Sequence, residues 1–175
     1  MEQPVTSTSA KGLAIGLVLV IISLGIYLLN IDINSPVKWF PLLLFIAGIL
    51  WSINLYGKQI KHNSGFGNYF SHGFKTSAIV TLIMIAFVII SLFIFPEIKE
   101  RGIEESRKAM VAQNKLTNEQ IESYLATTKK FYAVIAIGFT LFLYMSLGAL
   151  SSLVGAAITK KEPGKFVEDN NQINQ

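Results

Sequence analysis

The sequence predicts an all-α membrane protein: a four-transmembrane-helix bundle with an interfacial amphipathic helix before the third span and an extramembrane helical hairpin between the third and fourth spans. Only 15% of the 175 residues are charged, against about 25% in a typical soluble domain. Four stretches with almost no charge predict spans at about 12–31, 37–56, 76–96 and 131–158. Each reaches the roughly 20 residues needed to cross a bilayer, and none shows the polar stripe of a soluble core helix.

Small residues recur at helical spacing in the first and last spans. Glycine, serine and alanine at such positions let membrane helices approach closely, and we expect packing within one chain. Association of two copies through the same residues, giving a homo-oligomer, is the alternative. The predicted packing residues are Gly12, Gly16, Gly148, Ser152, Gly155 and Ala156.

The segment 62–75, HNSGFGNYFSHGFK, predicts the interfacial helix. Phe66, Tyr69, Phe70 and Phe74 fall on one helical face, and polar residues that include His72 fall on the other, a pattern typical of a helix lying at the membrane surface. Packing of the aromatic rings against the second span is an alternative compatible with this one. Three lysines flank the segment and are candidates for contacts with lipid phosphates, namely Lys58, Lys61 and Lys75.

The hairpin is predicted over 97–130. Thr117-x-x-Gln120 is a capping box that begins a helix, and the chain should turn near Gln113–Leu116. A flexible loop is the alternative. Apolar residues at helical spacing among alternating charges would hold the two arms together, and they are Ile98, Ile103, Met110, Ile121 and Leu125.

The spans and the hairpin form one predicted domain, residues 1–162, and the polar tail 163–175 is predicted to be disordered. Four spans place both termini on one side. Counting Lys and Arg gives seven on that side against eight on the other, which decides nothing. The purely basic charges of the short 57–75 loop and of Lys160 and Lys161 favour a cytoplasmic location for both termini.

The residue types do not assemble a catalytic, cofactor or metal site, so we expect no enzyme. His62 and His72 have no third ligand nearby, and the chain has no cysteine. The glycines at 65, 67 and 73 lack the spacing and preceding strand of a phosphate loop. The uncharged runs contain no Asp, Glu, Lys, Arg or His, which disfavours a proton pump. The net charge of +4 comes from residues flanking the spans, so membrane lipids rather than nucleic acid are the expected partners.

The segments FGNYFSHGFK (66–75) and NEQIE…TKKF (118–131), together with the four spans, resemble the DUF4199 family over residues 10–162. The resemblance implies a small inner-membrane protein of Bacteroidota with no established activity, and a hairpin facing the periplasm. It transfers no catalytic residues.

Two functions are compatible with these features. The first is a non-enzymatic subunit or scaffold that binds another membrane or envelope protein. The second rests on the resemblance, because genes of that family often lie beside a polyprenyl-phosphate glycosyltransferase. It is an accessory protein for that enzyme or for translocation of lipid-linked sugars.

Overall fold

A computed structural model of the chain describes residues 5–29, 31 and 35–159. The predicted disordered tail 163–175, with Lys160 and Lys161, lies outside the described residues. The elements in order are α1 (Thr8–Leu28), a short 3₁₀ helix (Pro36–Trp39), α2 (Phe40–Gln59), α3 (Phe66–Ile94), α4 (Glu97–Gln113) and α5 (Asn118–Ile158). Within the described ranges there is no strand. Four of the helices, α1, α2, α3 and α5, are long and apolar enough to cross a membrane. The predicted all-α fold with four spans is confirmed.

Helix α1 begins earlier than the first uncharged run. Ser7 caps it, and the Ser7 hydroxyl accepts a hydrogen bond of 3.1 Å from the Ala10 N–H, which satisfies one of the free donors of the first turn. As a consequence Lys11 lies inside the helix, whereas the sequence pattern places it beside the span.

Helix α3 begins at Phe66, inside the predicted interfacial segment, and runs without interruption into the predicted third span. Residues 66–75 are therefore the first part of α3 and not a separate helix that bends into the span. Phe95 still donates to Ser91 O at 2.8 Å, but Pro96 has no N–H and ends the helix there. The first arm of the hairpin is consequently a separate helix, α4, and not an extension of α3.

The chain turns where the sequence predicts it. Asn114 ends α4 in the left-handed region with φ of 49°, a conformation that asparagine tolerates. Thr117 N–H donates to Gln120 Oε1 at 2.9 Å, and Gln120 N–H donates to Thr117 Oγ1 at 3.3 Å. The predicted capping box is confirmed at the start of α5.

The described residues divide into two compact units, one formed by those up to Val80 together with those from Tyr144 onwards, and the other by Thr81–Leu143. The first unit packs around Ile53, whose side chain meets two glycines. A Cβ on Gly73 would lie 2.5 Å from Ile53 Cδ1, and a Cβ on Gly155 would lie 2.6 Å from the same atom. The rings of Phe45 and Tyr144 meet edge to face at 4.9 Å in this unit. Glycine at positions 73 and 155 leaves room for the Ile53 side chain.

The second unit contains the hairpin. Ile121 and Leu125 are buried in it, and the Tyr132 hydroxyl donates to Ile98 O at 3.4 Å. Gly102 gives the Tyr132 ring room, because a Cβ on Gly102 would lie 3.0 Å from Tyr132 Cζ. Arg107 on α4 forms two hydrogen bonds with the Glu122 carboxylate on α5, and this bonding raises the pKa of Arg107 above its ordinary value. The two arms are thus joined by apolar, hydrogen-bonded and ionic contacts.

Candidate functional site

A cluster of polar side chains lies where the start of α1, the end of α2 and the start of α3 meet, within the first unit. At its centre lies Lys11, which is only 2% exposed. The Lys11 ammonium donates to Gln59 Oε1 at 3.2 Å and lies 3.5 Å from His72 Nε2. It also lies 5.6 Å from the centroid of the Tyr56 ring, within the range of a cation–π interaction. A buried ammonium is therefore surrounded by an amide oxygen, an imidazole and an aromatic face.

His72, on α3, contacts side chains on the other two helices of the cluster, α1 and α2. Its ring stacks on Tyr56 with centroids 4.2 Å apart and planes 4° apart. Nδ1 lies 3.4 Å from Thr8 Oγ1 on α1, and Nε2 lies 3.3 Å from Ser52 Oγ on α2. An ammonium group can only donate, so Nε2 acts as an acceptor towards Lys11, and the proton of the neutral ring is assigned to Nδ1, facing Thr8.

Two hydroxyls continue the network beneath the imidazole. The Thr76 hydroxyl donates to His72 O at 2.9 Å, and Ser52 Oγ lies 3.2 Å from Thr76 Oγ1. Because the one lone pair of Nε2 accepts from Lys11, the Ser52 hydroxyl is assigned as the donor to Thr76 Oγ1. Ser52 and Thr76 are both buried, which keeps their hydrogen bond away from water.

The ammonium of Lys11 has no carboxylate partner in the described part of the chain, where the salt bridges lie in the hairpin. Burial of an unpaired cation is costly, and its position near the start of α1 also opposes the positive end of the helix dipole. Packing does not require this arrangement, because an apolar side chain could fill the same space. A buried cation kept at such a cost is typical of a functional position.

Tyr69 closes one side of the cluster. It is fully buried, and its ring meets Tyr56 edge to face at 6.0 Å. Its hydroxyl has no hydrogen-bond partner among the described residues. Chemically, the assembled groups can hold an anion or exchange a proton between Lys11 and His72.

The faces predicted for the segment 66–75 differ from those observed. Tyr69 was predicted to lie on a membrane-facing aromatic side and is buried against Tyr56, as the alternative interpretation has it. His72 was predicted to lie on the polar outer face, and this is wrong, because the residue is buried. Phe66 is exposed, and Phe70 and Phe74 are partly buried, with their rings stacked at 5.7 Å. Helices α1 and α2 pack against this segment. A residue on its polar face can therefore be buried, and a residue on its aromatic face need not face the membrane.

The remaining predicted residues fall into three groups. Lys58, Lys61 and Lys75 are exposed. The six predicted packing residues of the first and last spans are all buried. Within the hairpin Ile121 and Leu125 are buried, whereas Ile98, Ile103 and Met110 are only partly buried.

Sequence reasoning missed the cluster because its members are far apart in the chain and each alone is unremarkable in type. The order of the helix ends in the chain could have indicated the cluster. In antiparallel helices, the start of the first, the end of the second and the start of the third lie at one end. Polar residues near those three termini, Thr8, Lys11, Gln59 and His72, are then expected to be neighbours.

Within the described residues no group of three or more His, Cys, Asp or Glu side chains could hold a metal ion. A family model described as "Protein of unknown function (DUF4199)" matches residues 11–161, which is most of the chain. No curated protein matches. No solved structure matches.

Proposed function

The chain belongs to the DUF4199 family of unknown function, and on that premise we propose that it is a non-enzymatic subunit or scaffold that binds another membrane or envelope protein through its hairpin. The proposal places it in a bacterial inner membrane, with both termini in the cytoplasm and residues 97–130 in the periplasm. The observation that carries the proposal is an ordered hairpin that leaves large apolar side chains uncovered.

The order of the hairpin favours binding because less flexibility is lost when a preformed surface meets its partner. The capping box begins the second arm, the Arg107–Glu122 ion pair joins the two arms, and Tyr132 bonds to the first arm near its start. These contacts are distributed along the whole length of the hairpin.

The uncovered residues are Tyr124 and Val111, whose exposed fractions are 57% and 55%. Val111 on α4 and Tyr124 on α5 both lie among charged residues, outside the uncharged part of α5 that begins at Phe131. Tyrosine is enriched at the energetic centres of protein interfaces, where its loss costs roughly 2 kcal/mol or more. Tyr124 is therefore the residue that we expect to contribute most to the interface.

The test is purification in mild detergent of the wild-type chain and of Tyr124→Ala, followed by quantification of co-purifying proteins. We expect one stoichiometric partner with the wild type and at least a tenfold loss with the variant. Lys115→Ala, an exposed change in the turn, is the matched control and should retain the partner. Recovery of a clean monomer from the wild type, or equal recovery with Tyr124→Ala, would overturn the proposal.

A second function is favoured by a different observation. Lys58, Lys61 and Lys75 are exposed and come from the end of α2, the following turn and the start of α3, the same elements that form the Lys11 cluster. An accessory protein for a polyprenyl-phosphate glycosyltransferase, or for translocation of lipid-linked sugars, would hold phosphate with these lysines. If their joint replacement by glutamine left glycolipid output in cells unchanged, this function would lose its support.

A further inference from the structure

A groove lies in the second unit where the hairpin joins the apolar parts of α3 and α5. Its volume is about 420 Å³, within the roughly 300–1,000 Å³ typical of small-ligand sites. The apolar part is formed by Ile89 and Leu92 of α3 and Ile137 of α5. Phe93 beside them is 85% exposed. Two breaks in helical structure lie at this groove: α3 ends at Ile94, just before Pro96, and Phe131 departs from helical geometry, with φ of −107° and ψ of 16°.

Three lysines line the same groove, namely Lys99, Lys129 and Lys130. In the part of the chain that the structure describes, none of them forms a salt bridge, and no acidic side chain lines the groove. Lys130 Nζ lies 5.4 Å from the centroid of the Phe131 ring. The groove thus carries positive charge without an anionic partner.

The groove has an apolar part and a basic part, and the order of residues along the chain places them at opposite ends. On α3 and the start of α4, apolar residues come first and Lys99 follows Pro96. On α5, Lys129 and Lys130 come first and Ile137 follows. In both segments the lysines therefore lie towards the hairpin, and the apolar residues lie towards the membrane span. A ligand that matches this order has a negatively charged head and an apolar chain.

We infer that this groove binds an anionic phospholipid of the surrounding bilayer, with the phosphate at Lys99, Lys129 and Lys130 and an acyl chain along Ile89, Leu92 and Ile137. The lysines border the uncharged segments, where headgroups lie, so a bilayer lipid reaches both parts of the groove at once. Inorganic phosphate would engage the lysines alone and leave the apolar residues uncovered.

A fluorescent reporter tests this site directly. Trp39→Phe and Trp51→Phe remove the native indoles at two exposed positions, and Phe93→Trp places one indole beside the groove. The protein is reconstituted in phosphatidylcholine vesicles that contain the same small fraction of acyl-brominated phosphatidylglycerol or of acyl-brominated phosphatidylcholine. Bromine quenches the indole when a labelled lipid occupies the groove.

We expect stronger quenching by brominated phosphatidylglycerol than by brominated phosphatidylcholine. Each lysine should contribute about fivefold to the preference. Replacing Lys99, Lys129 and Lys130 together by glutamine should abolish the preference, and replacing them by arginine should retain it. The control replaces Lys115, an exposed lysine in the hairpin turn, by glutamine, which removes a positive charge that does not line the groove and should change nothing at the reporter.

Equal quenching by the two lipids, or a preference that survives the glutamine replacement of the groove lysines, would overturn the inference. Loss of the preference on addition of millimolar inorganic phosphate at constant ionic strength would identify a soluble phosphate site instead. Quenching that falls as the protein-to-lipid ratio rises would identify a second copy of the chain as the occupant, and would also refute the inference.

Discussion

Replacing Gly73 by alanine adds a methyl group where α3 meets the Ile53 side chain of α2. The new Cβ would lie 2.5 Å from Ile53 Cδ1, 2.9 Å from Ile53 Cγ1 and 2.7 Å from Ser152 Oγ. Comfortable contacts between carbon atoms are about 3.5–4.0 Å, so these neighbours must move by about 1 Å. Ile53 has little room to do so, because its Cδ1 is already 2.6 Å from the Cβ position of Gly155. Ser152 is held by a hydrogen bond of 2.6 Å to Gly148 O.

Overpacking of this kind costs about 1–3 kcal/mol, and the better helix propensity of alanine returns up to about 1 kcal/mol. We therefore expect Gly73→Ala to lower the free energy of unfolding by about 1–2 kcal/mol. Gly138→Ala is the matched control, since nothing lies within 4 Å of its Cβ position. It should raise the free energy of unfolding by about 0.5–1 kcal/mol through helix propensity alone.

The assay is unfolding of the purified protein in mixed micelles of a mild detergent and dodecyl sulfate, followed by far-ultraviolet circular dichroism. The two variants should move the midpoint in opposite directions. Equal midpoints, or a Gly73→Ala variant more resistant to unfolding than Gly138→Ala, would refute the packing of α2 against α3 described above.

Lys11→Met should leave the free energy of unfolding unchanged or raise it, because the methionine fills the same space without burying a charge, and detergent-unfolding midpoints measure this. A lower midpoint would mean that the ammonium stabilises the fold. Arg107→Glu should speed amide hydrogen exchange in the hairpin through repulsion from Glu122, and adding Glu122→Arg should restore slow exchange; equal exchange in all three proteins would contradict the ion pair. Because the chain has no native cysteine, single cysteines at Lys115 and Gly65 should report opposite sides of the membrane to an impermeant maleimide in intact cells. Labelling of Lys115→Cys alone is expected, and labelling of both would contradict the proposed topology.

The spans and the hairpin could be predicted from the sequence because each depends on local chemistry. Charge-free length predicts a span wherever it occurs, and the capping box at Thr117 and Gln120 sets the start of a helix through bonds within one turn. The break at Pro96 is equally local, because proline has no N–H with which to continue a helix. Such features need no knowledge of which elements become neighbours.

The polar cluster could not be predicted in the same way because its contacts join three helices. The periodicity of residues 66–75 assigns His72 to a polar face, and a polar face is normally exposed. Here that face meets Lys11 and Tyr56, so burial follows from tertiary contacts and not from the pattern. The same reasoning placed Lys11 outside the first span, although Ser7 extends α1 to include it. Polar residues near helix ends that topology brings together are the signal to seek.

Photo-crosslinking from the hairpin tests the proposed partner binding most directly. A benzophenone amino acid is introduced at Tyr124 and, separately, at Val134, an exposed position in the apolar part of α5, and intact cells are irradiated. We expect one protein adduct of defined mass from position 124 and none of that mass from position 134. Absence of an adduct at 124, or the same adducts from both positions, would contradict a hairpin that binds a specific protein.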